Sequence, residues 1–363
     1  MKNLVYVNKI GLFSVLFSLS ATLFAGNEDR AGSAGASELL INPWCRSAAL
    51  GDANVASSSG LEATFTNIAG LAQTGKTQLK FNFTNWLGSA SVPFSSAGFA
   101  QRISSTSVIA MSVQAMTFGK VMYTTVDNPE GGIGTFSPNM TVINLGYAKS
   151  FIPSISGGIN IKVLSESVSN LGSSGVAVDA GIKYVTGKLD RMKMGITLKN
   201  IGSPLSMNGD GLGTQVTVTK TGNAITTDQR SQKYELPSMM SMGVSYDIIN
   251  DTVSDNKFTA AFAFTANSFS NDQYRLGLDY LFNTGIAAFN LRAGYVYEKN
   301  LLSSSNRTNA LTGLTAGMSI DLISRKTTAE GVKKESAIGL EYAVRMSNPF
   351  GAIHTFGVTI SLK

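Results

Sequence analysis

From about residue 77 to the end of the chain, apolar and polar side chains alternate with a period of two, in segments of about ten residues separated by turn-forming stretches. That rhythm sends successive side chains to opposite faces of an extended strand. Tyr274, Leu276, Leu278, Tyr280 and Phe282 share one parity, while Arg275, Gly277 and Asp279 take the other. Phe289, Leu291, Ala293, Tyr295 and Tyr297 alternate in the same way with Asn290, Arg292, Gly294 and Glu298. Ile338, Leu340, Tyr342 and Val344 alternate with Gly339, Glu341, Ala343 and Arg345, and Phe356, Val358, Ile360 and Leu362 with Gly357, Thr359, Ser361 and Lys363. A chain written this way is all-β.

A soluble sandwich and a membrane barrel both use such strands, and three details favour the barrel. About ten residues is the length of a tilted strand that crosses a bilayer. Tyr295, Tyr297, Phe356 and Phe151 sit towards strand ends, as interfacial girdles require. The face opposite the apolar one is rich in glycine and small hydroxyls, which suits a lumen. Composition agrees: charged residues make up 14% of the chain and glycine numbers 37, against about 25% charged in an average soluble protein. Mean hydropathy is only +0.10, and after residue 25 no apolar run approaches the roughly 20 residues of a spanning helix.

The reading is therefore a transmembrane antiparallel β-barrel of about fourteen strands in the outer membrane, crossing it many times. The segments lie near 77–87, 94–103, 106–117, 139–151, 154–163, 176–186, 191–200, 236–248, 257–266, 272–282, 287–297, 312–321, 336–346 and 353–362. An even count places both termini on the periplasmic side, with the long connections 118–138 and 201–235 outside. The even-numbered connections are mostly tight, such as Ser104-Ser105 and Ile152-Pro153. Leu322 to Glu335, with Arg325, Lys326, Lys333 and Lys334, is long and basic for a periplasmic turn: either a periplasmic contact or a slip in the strand count. Residues 1–25 read as a cleavable signal, with Lys2 and Lys9 before an apolar core from Ile10 to Phe24. Residues 26–76 do not alternate yet carry Leu39, Leu40, Ile41, Trp44, Leu50, Leu61, Phe65, Ile68 and Leu71. They are too apolar for a solvated tail, so they are expected to plug the lumen of the barrel formed by residues 77–363.

Little chemistry is available. One cysteine, Cys45, permits no internal disulfide, and one histidine, His354, reads as a residue near a strand end at the membrane boundary. No nucleotide loop, zinc-ligand cluster or nucleophile elbow is present; Gly131-Gly132 and Gly157-Gly158 lack the lysine of a phosphate cradle. No catalytic residue, metal or cofactor is expected, and the protein is not read as an enzyme. Loss of Lys2 and Lys9 lowers the net charge from +6 to +4, too little to suggest nucleic acid. Lys80, Asp179, Lys183, Lys193, Arg275, Asp279, Arg292, Glu341 and Arg345 fall on the lumen-facing parity. They either line a selective pore or pair with each other and with plug residues such as Arg46, Asp52 and Glu62; a dry lumen favours pairing.

Residues 26–76 also carry a resemblance. Ala36-Ser37-Glu38-Leu39-Leu40-Ile41, then Arg46 through Ala56 with Gly51 and Asp52, then Asn67-Ile68-Ala69-Gly70-Leu71-Ala72 resemble the opening of the PorV/PorQ family, with Ile68 in place of the usual proline and Thr66 in place of a frequent tryptophan. Gly195 to Leu205, Glu235-Leu236-Pro237 leading to Gly243-Val244-Ser245-Tyr246, Arg275 to Tyr280, Leu291 to Tyr295 and the closing strand are similar in the same order. The resemblance implies a FadL-like barrel with an N-terminal plug, in which Arg46, Gly51, Asp52, Asn67 and Gly70 form the plug motif. It further implies a subunit of the type IX secretion apparatus of Bacteroidota, whose partners are the translocon barrel or the C-terminal signal domain of a secreted cargo or gliding-motility adhesin.

Two functions stay open. A partner-binding barrel would use Met122 and Tyr123 in the first long loop and Pro204, Leu205, Met207 and Leu212 in the second, because exposed apolar residues on loops suit a protein partner. The same residues could instead fold inward over the plug. The alternative is a FadL-type transporter of small hydrophobic molecules, which needs an apolar lumenal pocket.

Overall fold

A strand inside lipid must satisfy its backbone hydrogen bonds within the protein, and a closed ladder does so without leaving an edge. The computed structural model describes residues 26–88, 91–219, 222–251, 254–303, 307–327 and 333–362, so the expected signal segment lies outside the described residues. Among the described residues, eighteen strands follow one another. The first seven are β1 (Thr77–Trp86), β2 (Val92–Arg102), β3 (Ser107–Thr117), β4 (Val121–Met122), β5 (Thr135–Phe136), β6 (Asn139–Ile152) and β7 (Ile155–Val168). Next come β8 (Leu171–Thr186), β9 (Met192–Gly202), β10 (Gly213–Thr217), β11 (Ala224–Asp228), β12 (Met239–Asn250) and β13 (Lys257–Asn267). The last are β14 (Gln273–Asn283), β15 (Ala287–Glu298), β16 (Gly313–Thr327), β17 (Lys333–Ser347) and β18 (Gly351–Leu362).

Fourteen of these close an antiparallel barrel in which each strand pairs with its chain neighbour and β1 pairs with β18. The other four make two small hairpins, β4–β5 and β10–β11, within the long connections. All fourteen alternating segments are thus barrel strands. The basic stretch Leu322–Glu335 is largely strand: β16 runs on to Thr327 and β17 starts at Lys333, with Arg325 opposite Glu335 and bonded to it at 3.2 Å. The strand count does not slip there. The long connections gather at one end, here the loop end, and the short ones at the other, the turn end.

The period of two is visible in burial. Along β15, Asn290, Arg292 and Val296 are buried, while Phe289, Leu291, Tyr295 and Tyr297 are exposed. Tyr147, Phe151, Tyr184, Tyr246, Tyr280 and Phe282 are exposed near the turn end, and Phe350 and Tyr297 near the loop end, so aromatic girdles ring both rims. Phe356, expected near a strand end, instead lies mid-wall opposite Phe83, because β18 begins at Gly351. His354 faces outward two residues above it, and its Nδ1 meets the Tyr342 hydroxyl at 2.8 Å.

The segment before β1 folds inside the barrel through 3-10 turns at Ser37–Leu40, Gly60–Thr64 and Ile68–Gln73 and one short helix, α1 (Cys45–Ala49). Trp44, Leu61, Phe65, Ile68 and Leu71 are buried against Ala100, Val108, Ala110 and Ala148 of the wall. Small wall residues make the fit possible. A Cβ on Gly195 would come within 2.7 Å of the Val55 carbonyl oxygen, and one on Gly294 would strike the backbone of Leu50. The glycine-rich inner face therefore exists to let the plug backbone lie directly on the wall.

Leu340 is 62% exposed on the outer face of β17. If that face meets lipid, Leu340→Arg is expected to cost about 2–4 kcal/mol when stability is measured by unfolding from bilayer vesicles. A variant as stable as the parent would mean that the wall faces water.

Candidate functional site

A lumen closed by a plug can carry charge only where opposite charges meet, and the plug supplies one partner in each of three clusters. Glu62 pairs with Lys80 of β1, which also contacts Glu341 of β17 at 2.8 Å. The second Glu62 oxygen accepts the amide of Ser47 at 2.8 Å, which locks α1 to the 3-10 turn at Gly60–Thr64. Arg46 reaches Asp279 of β14 at 3.0 Å, and Arg292 of β15 takes the other oxygen of that carboxylate at 3.2 Å. Asp52 accepts from Asn42 and meets Arg345 of β17 at 2.9 Å and Arg275 of β14 at 3.5 Å. Burial opposes ionisation of both plug acids, yet Arg345 and then Arg275 hold Asp52 below its ordinary value, and Lys80 does the same for Glu62.

The remaining wall charges are also engaged. Lys162 pairs with Asp179 at 2.7 Å, and Lys193 and Lys257 share Asp247 at 2.5 and 2.9 Å. Lys183 donates to plug oxygens instead, Ser58 O at 2.9 Å and Gln73 Oε1 at 2.7 Å. These contacts describe a stapled plug rather than a row of free charges along a pore.

The other motif residues shape the plug backbone. Gly51 and Asp52 both take positive φ, 59° and 61°, which turns the chain after α1 and aims the Asp52 carboxylate at the two arginines. Asn67 caps the 3-10 turn at Ile68–Gln73 by accepting from Ala69 N at 3.2 Å, and donates to Val55 O and Ile182 O, both at 3.1 Å. A Cβ on Gly70 would collide with the carbonyl of Ser58.

The loop residues divide. Met122 and Tyr123 are exposed beside β5, with the Tyr123 ring tilted at 46° against Phe136, centroids 5.0 Å apart, and its hydroxyl 2.5 Å from Ser169 Oγ. Pro204 is exposed, and Met207 and Leu212 are half-buried. Leu205, expected on a free binding surface, turns inward instead: it is 3% exposed and packs with Ala36, Leu39, Val142, Leu164, Ala177 and Leu236. Anchored there, the loop then sends the β10–β11 hairpin out with every residue of its two strands exposed. Among the described residues no group of three His, Cys, Asp or Glu converges as a metal centre.

Beside Leu205, sequence reading missed an acidic contact. Glu38 is buried next to Glu166 of β7, whose carboxylate accepts the Tyr234 hydroxyl at 2.5 Å. Burial, and then the Glu166 charge, push the Glu38 carboxyl up to about 8. Burial and the bond to Glu166 push the Tyr234 hydroxyl up to about 12. Only the lack of a nearby cation on the facing strands could have signalled this pair.

No protein-family model matches the chain, and no curated protein matches it. Solved structures do resemble it. The Pseudomonas putida toluene transporter TodX matches with a TM-score of 0.50 at 11% identity, over 89% of this chain and 98% of that one. The CymD monoaromatic hydrocarbon channel gives 0.49 at 12%, over 89% and 97%. A Pseudomonas aeruginosa FadL homologue gives 0.45 at 13%, over 94% and 98%. At such identities the TodX likeness is one of fold: the chain is a multi-pass barrel of the outer-membrane type, with its N-terminal segment inside.

Two measurements test the stapling. Lys80→Met leaves Glu62 and Glu341 facing each other in a buried space and is expected to cost about 3–5 kcal/mol in urea unfolding from vesicles; an unchanged midpoint would mean that the cluster is hydrated. Glu38 holds its proton in the fold and loses it above about 4.5 when unfolded, so its contribution is complete below about pH 4.5 and fades as pH rises through about 8. The protection factors of amides 33–41, exchange rates divided out for their intrinsic rise with pH, are expected to fall over that window in the parent and to stay level in Glu38→Gln.

Proposed function

We propose that the chain is an accessory or carrier barrel for protein export, in the manner of PorV-like subunits of the type IX apparatus. On this reading the barrel is sealed by its plug and holds the terminal domain of a secreted protein, or the translocon barrel, at its loop end. Both termini then face the periplasm and the loop end faces outward.

The observation that carries the reading is the contrast between interior and crown. Inside, Trp44, Leu61 and Leu71 are fully buried and most of the charges are spent on pairing. Outside, β10 and β11 form a two-stranded ribbon with no third strand, and Val216 and Ile225 are about half exposed, at 45% and 46%. An exposed ribbon edge offers unpaired amides and carbonyls to an incoming strand, with alternate side chains to select it.

A second reading is transport of a small hydrophobic molecule, and the fold shared with the toluene transporter TodX favours it. The two separate cleanly. Replacing residues 213–228 with a short Gly-Ser linker is expected to abolish co-purification of a secreted domain or large barrel from the native membrane, while the barrel still assembles. If that replacement changes nothing and the intact chain carries toluene into vesicles, the transport reading replaces the first.

A further inference from the structure

The β16–β17 hairpin outruns the wall at the turn end. Ala287, the first residue of β15, stands opposite Leu322, and Leu362 of β18 stands opposite Ser336. Past those positions, among the described residues, Ile323–Thr327 and Lys333–Glu335 pair in the ladder only with the hairpin's own second strand. An isolated two-stranded ribbon is marginal in water, and the register of this one works against it. Lys326 stands directly opposite Lys334, and Thr327 opposite Lys333. Like charges directly opposite destabilise a ladder. One position nearer the wall, Arg325 and Glu335 offset each other at 3.2 Å. Glu335 is the one acid at the ribbon's described positions, against the four cations Arg325, Lys326, Lys333 and Lys334.

Parity shows on which face the like-charge pair falls. Met318, Ile320 and Leu322 of β16 and Leu340 and Ile338 of β17 are exposed on the outer wall. Followed towards the turn end, that face sets Ile320 opposite Leu340, Leu322 opposite Ile338, Ser324 opposite Ser336 and then Lys326 opposite Lys334. The bonded Arg325–Glu335 pair belongs to the other parity. One face thus passes from apolar residues through hydroxyls to cations, the order in which a bilayer passes from hydrocarbon through its interface to charged headgroups. Lys326 lies four residues past Leu322, which is about 13 Å along a strand and about 10 Å along the membrane normal at a tilt of about 40°. The headgroup layer is about 5–8 Å deep on each side, and a lysine stem spans the few ångströms of difference.

We propose that the end of the β16–β17 ribbon docks on anionic phospholipid headgroups of the leaflet at the turn end, with Lys326 and Lys334 taking the phosphates. The phosphates supply the opposite charge that the facing lysines call for, and the ribbon is ordered by the surface it meets. A soluble acidic polymer would also match the charge, but it gives no reason for an apolar-to-hydroxyl approach on the same face. The inference depends neither on which compartment the turn end faces nor on what the crown binds.

The test is hydrogen exchange of the full chain in lipid nanodiscs, read at amides 323–327 and 333–336, in phosphatidylcholine alone and in discs containing phosphatidylglycerol as well. Protection of these amides is expected to rise about tenfold with the anionic lipid and to fall back at roughly 0.5 M salt, where surface charges are screened. The double variant Lys326→Gln/Lys334→Gln should show no rise, and Lys326→Arg/Lys334→Arg should restore it. Lys120→Gln, which removes an exposed charge from the first long loop at the other end of the barrel, should leave the rise intact. Soluble peptidoglycan fragments added to the neutral discs should leave the amides as they were. Heat-modifiable migration on gels shows that each variant is folded. Equal protection in the two lipids, a rise that persists in the glutamine double variant, or a rise produced in neutral discs by peptidoglycan fragments would each overturn the proposal.

Discussion

A charge taken out of water into a dry lumen costs several kcal/mol unless an opposite charge meets it there. In this barrel the opposite charges are shared between wall and plug. Neither half is stable alone: an empty barrel would leave Lys80, Asp279 and Arg345 without their plug partners, and a free plug would expose Trp44, Leu61 and Leu71. The same division explains the inner face. Glycine and alanine recur there because the plug backbone must come close enough for short side chains such as Asp52 to reach the wall.

That economy leaves little of the lumenal charge uncommitted. The three ion-pair clusters hold the plug along one arc of the wall, from β14 to β1, and Lys183 of β8 holds it from the other side. What stays adjustable lies at the loop end, where Leu205 and Tyr234 tie the second long loop to the plug start through apolar packing and the Glu38–Glu166 contact. The β10–β11 ribbon projects beyond that anchor, and its base is coupled to the plug.

Much of the barrel was legible in the sequence because a lipid-facing wall imposes one rule on every strand. Each spanning residue faces lipid or lumen, so parity alone orders the fourteen segments and points the charges of β1, β8, β9, β14, β15 and β17 inward. The rule fails where its cause fails. Beyond the bilayer nothing enforces alternation, so the extension of β16 and β17 past Leu322 and the small hairpins in the long loops carried no signal. Leu205 misled for a related reason: an apolar residue in a loop reads the same whether it meets a partner or the chain's own plug. The pairing of the plug acids and Arg46 could be expected in kind, since a dry lumen demands it, but which strand serves each depends on the roll of the plug within the barrel.

The order of those partners along the chain constrains assembly. Arg46 and Asp52 precede every strand, yet their counterparts Asp279 and Arg345 sit on β14 and β17, more than 200 residues later, and Glu341 of β17 joins Glu62 only through the Lys80 they share. Lys80 alone is near in sequence. Closing so long a loop has an entropic cost that only contacts across it can offset. Local contacts from the 3-10 turns to β1, β2 and β3 can therefore form early, whereas α1 cannot be seated on the wall until the late strands are in place. Because β18 must then close against β1, directly after the plug, seating of the plug and closure of the wall depend on the same last strands and belong to one event.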